Sequence, residues 1–215
     1  MMSSAEERGA SQPGIALLII DMQRDFVLPG GPLCVAGALP SVPVVRHLLD
    51  EARQHGWPVF HVVRRHAPDG SDAEPFRRHW FQAGRGVCVA GTPGADVVDE
   101  LAPLPGERTV VKTRFSAFYR TSLDGQLRAL GVRTVLLAGT QYPNCVRGTA
   151  VDALYRDFHV IVVSDACSAQ TPEVAEANIR DMRAMGIVCE PLNRLPAALP
   201  DMPARRDRTA GEGRP

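Results

Sequence analysis

The sequence lacks most of the features that mark specialised protein classes. No Cys-x-x-Cys pair occurs, and the five cysteines (34, 88, 145, 167 and 189) are odd in number and far apart. That excludes a disulfide framework and the usual spacing of a zinc or dithiol site. No apolar run approaches the roughly 18 residues needed to cross a bilayer. The stretch 1–8 has no hydrophobic signal core, so the expectation is a cytoplasmic protein with no membrane partner. Neither sign of charge is in excess: 24 basic and 24 acidic residues cancel, leaving no bulk field to attract nucleic acid. The basic run Ala204-Arg205-Arg206-Asp207-Arg208 has no aromatic or motif beside it and reads as a solvated tail. Neither Gly-x-Gly-x-x-Gly nor Gly-x-x-x-x-Gly-Lys is present, so nucleotide cofactors have no support and the expected partner is a small-molecule substrate.

What the chain does have is 215 residues with 45% apolar content, enough for one sizeable core. With neither repeat nor linker it reads as one domain over residues 14–198, between polar tails at 1–13 and 199–215 that are expected to be flexible. Apolar and β-branched runs predict strands at 15–20, 58–63, 109–111, 134–138, 159–163 and 188–190. Helical spacing alternates with them at 41–55, 122–130, 145–158 and 171–185, the last opening with Thr171 as N-cap and Pro172 at the first helical position. Strands this apolar, alternating with helices, predict an α/β fold: a three-layer αβα, doubly wound, mostly parallel six-stranded sheet covered on both faces.

In such a sheet all strands point one way, so residues just past their C-terminal ends converge on one rim, where these folds bind ligands. The run 15–20 stops at Asp21, and Arg108-Thr109-Val110-Val111 stops at Lys112. The stretch from Leu136 to Thr149 reads as strand, tight turn and helix opening, which places the Cys145 thiol at a helix N-terminus. There the backbone N–H groups and the helix dipole stabilise a thiolate and any oxyanion beside it. Singly, each residue has an ordinary reading: Cys145 as a small buried hydrophobe, Asp21 as a turn cap, Lys112 as a solvated strand end. Together at one rim they form a chemical constellation.

Three segments in register carry a resemblance: Ile20-Asp21-Met22-Gln23-Arg24-Asp25-Phe26, Val111-Lys112-Thr113-Arg114-Phe115-Ser116-Ala117-Phe118, and the run from Ala138 through Gly139-Thr140-Gln141-Tyr142-Pro143-Asn144-Cys145 to Ala153. In order and spacing, over residues 15–192, the chain resembles the isochorismatase-like cysteine hydrolase family, the nicotinamidase/isochorismatase superfamily. The resemblance implies an Asp-Lys-Cys triad carried by Asp21, Lys112 and Cys145, hydrolysing a small amide, ureide or carbamate through an acyl-enzyme on Cys145. Asp21 would act as general base and acid, with Lys112 stabilising the thiolate. It also implies a non-proline cis peptide at Thr140-Gln141, with the Gln141 and Cys145 N–H groups forming an oxyanion hole. Tyr142-Pro143 is the bond that ordinary chemistry allows to be cis. Gln23, Phe26, Phe115 and Tyr142 are the candidate substrate contacts, with Trp80 and Phe118 as further pocket walls. Relatives are dimers or larger, so a homo-oligomer, dimer or tetramer, is expected.

Nicotinamidase-like relatives carry Asp-x-His after the second strand and a further histidine; this chain has His61-Val62-Val63-Arg64-Arg65-His66 instead. Five positions along a strand put His61 and His66 on opposite faces, so neither a metal nor a nicotinamide substrate is expected. Arg65, His66 and the acidic loop 69–74 are candidates to line the crevice or a subunit boundary. Two alternatives stay open: an isochorismatase-type ether hydrolase working through Asp21, and a catalytically idle binding or redox-sensing family member.

Overall fold

The computed structural model describes residues 14–199; the expected tail at 1–13 and, apart from Leu199, the expected tail at 199–215 with its basic run 204–208 lie outside the described residues. Six strands form one all-parallel sheet: β1 (Ile15–Ile20), β2 (Val59–Arg64), β3 (Arg108–Lys112), β4 (Thr134–Thr140), β5 (His159–Ser168) and β6 (Val188–Glu190), in the order β3-β2-β1-β4-β5-β6. Helices α1 (Arg24–Val27), α2 (Ala38–Gln54), α3 (Arg78–Gln82), α4 (Leu123–Ala129), α5 (Arg147–Leu154), α6 (Pro172–Ala184) and α7 (Leu195–Ala198) connect them.

Period-two alternation divides the core. Leu18, Ile20, Val62, Val135 and Leu137 face α4, α5 and α6, where they meet Leu127, Ala150 and Met182. Leu17, Ile19, Leu136 and Ile161 face the other way, onto Val45, Leu48 and Leu49 of α2 and Leu195 of α7. Because both faces are covered, β1 and β4 are buried at every position, as a central parallel strand must be. The chain winds β1-β2-β3 to one side and then crosses back to β4 on the other side of β1. The reversal at β1/β4 is the topological switch point, where the strand ends part and leave a crevice.

The differences from expectation are local. β3 is an edge strand that leaves Thr109 and Val111 exposed, so it is not apolar on both sides. β5 runs on to Ser168 because a register shift opposite Leu137/Gly139 absorbs the polar Ser164 and Asp165 and lets pairing resume at Gly139↔Cys167. α2 starts at Ala38, ahead of the expected residue 41, with Pro43 inside it. Leu199, assigned to the tail from sequence, is buried in the α2-side core. No helix among the described residues is long and apolar enough to cross a membrane.

Candidate active site

Three strand ends supply the centre. Asp21 follows β1 at φ 52, a left-handed backbone that Asp tolerates better than most residues. Its N–H donates to Val62 O at 2.8 Å, which fixes its direction. Lys112 closes β3 with its side chain fully buried; Nζ donates to Asp21 Oδ2 at 2.7 Å and to Arg114 O at 3.1 Å, and lies 3.4 Å from Cys145 Sγ. β4 approaches β1 so closely at Gly139 (φ 118) that a Cβ there would sit 2.1 Å from Ile20 O, so only glycine fits just before the turn that carries Cys145.

Beyond β4 the Thr140-Gln141 peptide is cis, and Tyr142-Pro143 is not among the cis bonds. Cys145 lies in a π-helical turn, Tyr142–Val146, ahead of α5. This departs from the expected placement at the opening of an α-helix. Val146 N–H reaches back to Gln141 O and Arg147 N–H to Tyr142 O, so the turn is wound wider than an α-turn before the helix begins at Arg147. Fixed charges also stand near the thiol.

Those charges include a residue that the sequence reading passed over. Arg64 ends β2, directly opposite Lys112 in the ladder, and its side chain is completely buried. Nη1 donates to Glu74 Oε1 at 2.8 Å, and Nη2 lies 3.6 Å from Cys145 Sγ. Two cations thus flank one thiol. Burial and the adjacent Asp21 carboxylate push the Cys145 thiol up, while Lys112 and Arg64 act in the opposite direction. The direction is upward, so the net effect of this environment favours the neutral thiol. His66 is held below the ordinary imidazole range by burial and by the Arg64 charge, and is neutral. The cavity over these groups is small, about 20 Å³, and its walls include Phe26, Leu33, Val35 and Asn144.

The chain matches the model of the Isochorismatase domain family over residues 15–191. It belongs to the isochorismatase family. A solved isochorismatase family protein from Desulfovibrio vulgaris subsp. vulgaris str. Hildenborough is 61% identical with a TM-score of 0.86, over 87% of this chain and 98% of that one. A probable inactive nicotinamidase of Arabidopsis thaliana is 44% identical over 80% of this chain and 89% of its own. Maleamate amidohydrolase of Pseudomonas putida is 35% identical over 78% of each.

Within this isochorismatase domain the expected site residues separate into two groups. Asp21, Lys112 and Cys145 come together, Gln141 and Phe26 line the same cavity, and Phe115 packs half-buried under the Arg64 guanidinium, 5.6 Å from its ring centroid. Tyr142 turns away into the core, its hydroxyl donating to Ser164 O at 2.8 Å. Gln23 is fully buried, its amide nitrogen donating to Arg64 O and Ala95 O and its carbonyl accepting from Arg64 N–H, so no amide hydrogen is left for a ligand. Trp80 lines an adjoining groove of about 700 Å³, and Phe118 is core. Arg65 points to solvent; it is Arg64 that faces the crevice.

His61 is held by Glu107 at 2.8 Å and His66 by Asp72 at 3.1 Å, well apart in their partners. A guanidinium nitrogen of Arg64 lies 3.4 Å from His66 Nε2, so that nitrogen does not fit a metal ion. Among the described residues no group of three or more His, Cys, Asp or Glu side chains could hold one.

Of the missed residues Arg64 and Arg77, Arg64 had an available signal, whereas Glu74 belongs to the acidic loop 69–74 already named as a candidate lining. The strand-end rule that selected Asp21 and Lys112 also selects the polar residue ending the apolar run of β2, which is Arg64.

Proposed function

We propose that this protein is a cysteine-dependent hydrolase that cleaves a small amide, ureide or carbamate through an acyl-enzyme on Cys145. The observation that carries the reading is the buried contact set of one lysine with one carboxylate and one thiol: Lys112 Nζ to Asp21 Oδ2 at 2.7 Å and to Cys145 Sγ at 3.4 Å. Relatives named as amidohydrolases support it.

The raised thiol pKa makes proton removal part of the reaction. Asp21 takes the Sγ proton as sulfur attacks the carbonyl carbon, and the anionic charge that develops lies among Lys112, Arg64 and the N–H groups of Gln141 and Cys145. Asp21 then returns the proton to the departing nitrogen as the C–N bond breaks, leaving a thioester and free ammonia or amine. A water gives its proton to Asp21 and attacks the thioester, and Asp21 passes that proton to Sγ as the C–S bond breaks, freeing the carboxylic acid and restoring the Cys145 thiol.

The test is ammonia release from a panel of small primary amides and ureides by wild type and Cys145→Ala. Turnover that vanishes in the variant supports the reading. Turnover that survives moves the chemistry to Asp21 and an ether- or water-activating mechanism. A reactive Cys145 with no substrate consumed would mark an idle family member.

A further inference from the structure

The Arg64 guanidinium is held at one end and open at the other. Its backbone is fixed by Gln23, whose amide accepts the Arg64 N–H and donates to Arg64 O, both at 2.7 Å. Nη1 faces three acceptors: Glu74 Oε1 at 2.8 Å, Thr113 O at 3.3 Å and His66 Nε2 at 3.4 Å. A guanidinium only donates, so the His66 nitrogen facing it carries the lone pair and the ring proton sits on Nδ1, toward Asp72 Oδ1 at 3.1 Å. At the open end Nε has no hydrogen-bond partner, and Nη2 lies 3.6 Å from Cys145 Sγ.

The parts of this arrangement come from two regions. Arg64 ends β2 and is part of the sheet, whereas His66 and Glu74 belong to the segment that closes over the rim. Glu74 is buried, immediately ahead of the 3-10 turn Pro75–Arg77. Its second oxygen, Oε2, has no hydrogen bond and lies 3.7 Å from Nη1 of Arg77, which also lines the cavity. Burial works against the Glu74 carboxylate, but the Arg64 charge outweighs it and holds the carboxyl below its usual range. A long guanidinium side chain has rotamer freedom to lose, so keeping it on one atom requires acceptors at its other end.

We infer that Glu74, together with His66, is a positioning residue: it seats the Arg64 guanidinium on Cys145 Sγ and makes Arg64 a second catalytic cation beside Lys112. The two cations are not equivalent. Lys112 Nζ touches Asp21 Oδ2 as well as the sulfur, so a carboxylate offsets its charge at the reacting atom. Arg64 meets its carboxylate through Nη1 and leaves Nη2 to face sulfur. A charged donor bonds an anion more strongly than a neutral acceptor. The contact therefore tightens as Sγ gives its proton to Asp21, and again as the C–S bond of the thioester breaks. Because the seat comes from the segment, the sulfur has its second cation only while the segment rests on the rim.

The inference rests on the hydrolase reading for what the sulfur does, and the experiment separates the two. Thiolate ultraviolet absorbance of Cys145, taken as the difference between each protein and its own Cys145→Ala form, is followed over pH, so no reagent has to enter the small cavity. Glu74→Gln and Glu74→Leu both remove the carboxylate charge, but only Gln keeps an acceptor for Nη1. The ionisation midpoint should lie about 1 pH unit higher in Glu74→Leu than in Glu74→Gln, a tenfold loss of thiolate below the midpoint. In an Arg64→Gln background that difference should vanish. Should Glu74→Leu fail to fold, His66→Leu against His66→Gln makes the same comparison at a second acceptor. Equal midpoints in the Gln and Leu forms, a difference that persists without Arg64, or no thiolate at any pH at which the wild-type fold survives overturns the positioning. Midpoints that follow the expectation while no amide, ureide or carbamate is consumed overturn the hydrolase and leave the positioning standing. Amide turnover that vanishes in Cys145→Ala, beside midpoints that ignore Glu74 and His66, keeps the hydrolase and overturns the positioning.

Discussion

The rim formed by the ends of β1, β3 and β4 and the segment 65–107 that closes over it reach the same cavity by different physics. At the rim, Asp21, Lys112 and the Cys145 turn are extensions of strands locked by parallel ladders and by apolar layers on both faces. The segment has short turns and α3; a satellite cluster around Phe26, Phe81, Val87 and Cys88 packs beneath it, and Val98 and Leu101 near its end join the α2-side core. It is held on the rim by polar pins. Asp25 Oδ2 accepts the Cys88 N–H at 2.6 Å, Gln23 bridges Arg64 to Ala95, and Gly94 packs so close to Asp25 that a Cβ would lie 2.0 Å from Oδ1. The rim carries the groups proposed to make and break bonds, and the segment brings Glu74 and Arg77 in beside them.

The largest expected effect breaks the rim alone. Lys112 is the only lysine in the chain, against 23 arginines. A compact ammonium fits between a carboxylate oxygen and a sulfur where a guanidinium fork does not. Lys112→Arg keeps the charge and should still lower amide turnover by at least about 10³-fold, close to Cys145→Ala, with the fold retained by circular dichroism. Turnover within tenfold of wild type would mean that bulk positive charge suffices and that the rim geometry is less exacting than its distances suggest.

Much of this rim was legible in the sequence because strands announce themselves by apolar runs and the rule for their ends needs no coordinates. Asp21, Lys112 and Cys145 followed from it, as did the six strands to within a few residues. Tyr142 was misjudged because an aromatic beside a nucleophile has the same composition whether it faces the cavity or, as here, the core under Ser164. Arg77 had no signal: it sits on an irregular segment without periodicity, and its burial comes from contacts such as that with Phe115, distant in sequence. The wide π-turn at Cys145 was also hidden, since residues 142–154 carry helical spacing on both sides of the change in winding.

A stability comparison sharpens the contrast. Leu137 in β4 is fully buried between layers, and Leu137→Ala should cost about 2 to 5 kcal/mol of global stability in urea unfolding. Phe81 is a larger side chain, packed edge-on to His66 at 5.4 Å, yet it belongs to the satellite cluster. Phe81→Ala should loosen the segment before the sheet, so amides of residues 66–90 lose hydrogen-exchange protection while the global midpoint moves less than half as far as for Leu137→Ala. Equal shifts in both variants would show the segment and the sheet to be one cooperative unit.

The smallest expected effect lies where the segment returns to the sheet. Glu107, just before β3, accepts from Arg53 of α2 at 2.7 Å, from His61 of β2 at 2.8 Å and from the Leu104 N–H at 2.8 Å. Burial works against its charged form, but the bonds from Arg53, Leu104 and His61 outweigh it and bring the carboxyl down to about 2. A carboxyl depressed by folding contributes stability that is complete above its unfolded value, near 4.5, and is lost as pH falls from there towards 2. His61, lowered by burial, adds an earlier loss that starts as pH drops below its ordinary 6.5, because the unfolded chain takes a proton that the folded one resists. Glu107→Gln should therefore be less stable than wild type by about 1 to 2 kcal/mol at pH 7, with the gap closing between pH 4.5 and 2. Urea midpoints across that range measure it. A gap that stays constant to pH 2 would mean that the clamp acts through shape alone, and that the segment's polar pins do not distinguish it from the apolar rim.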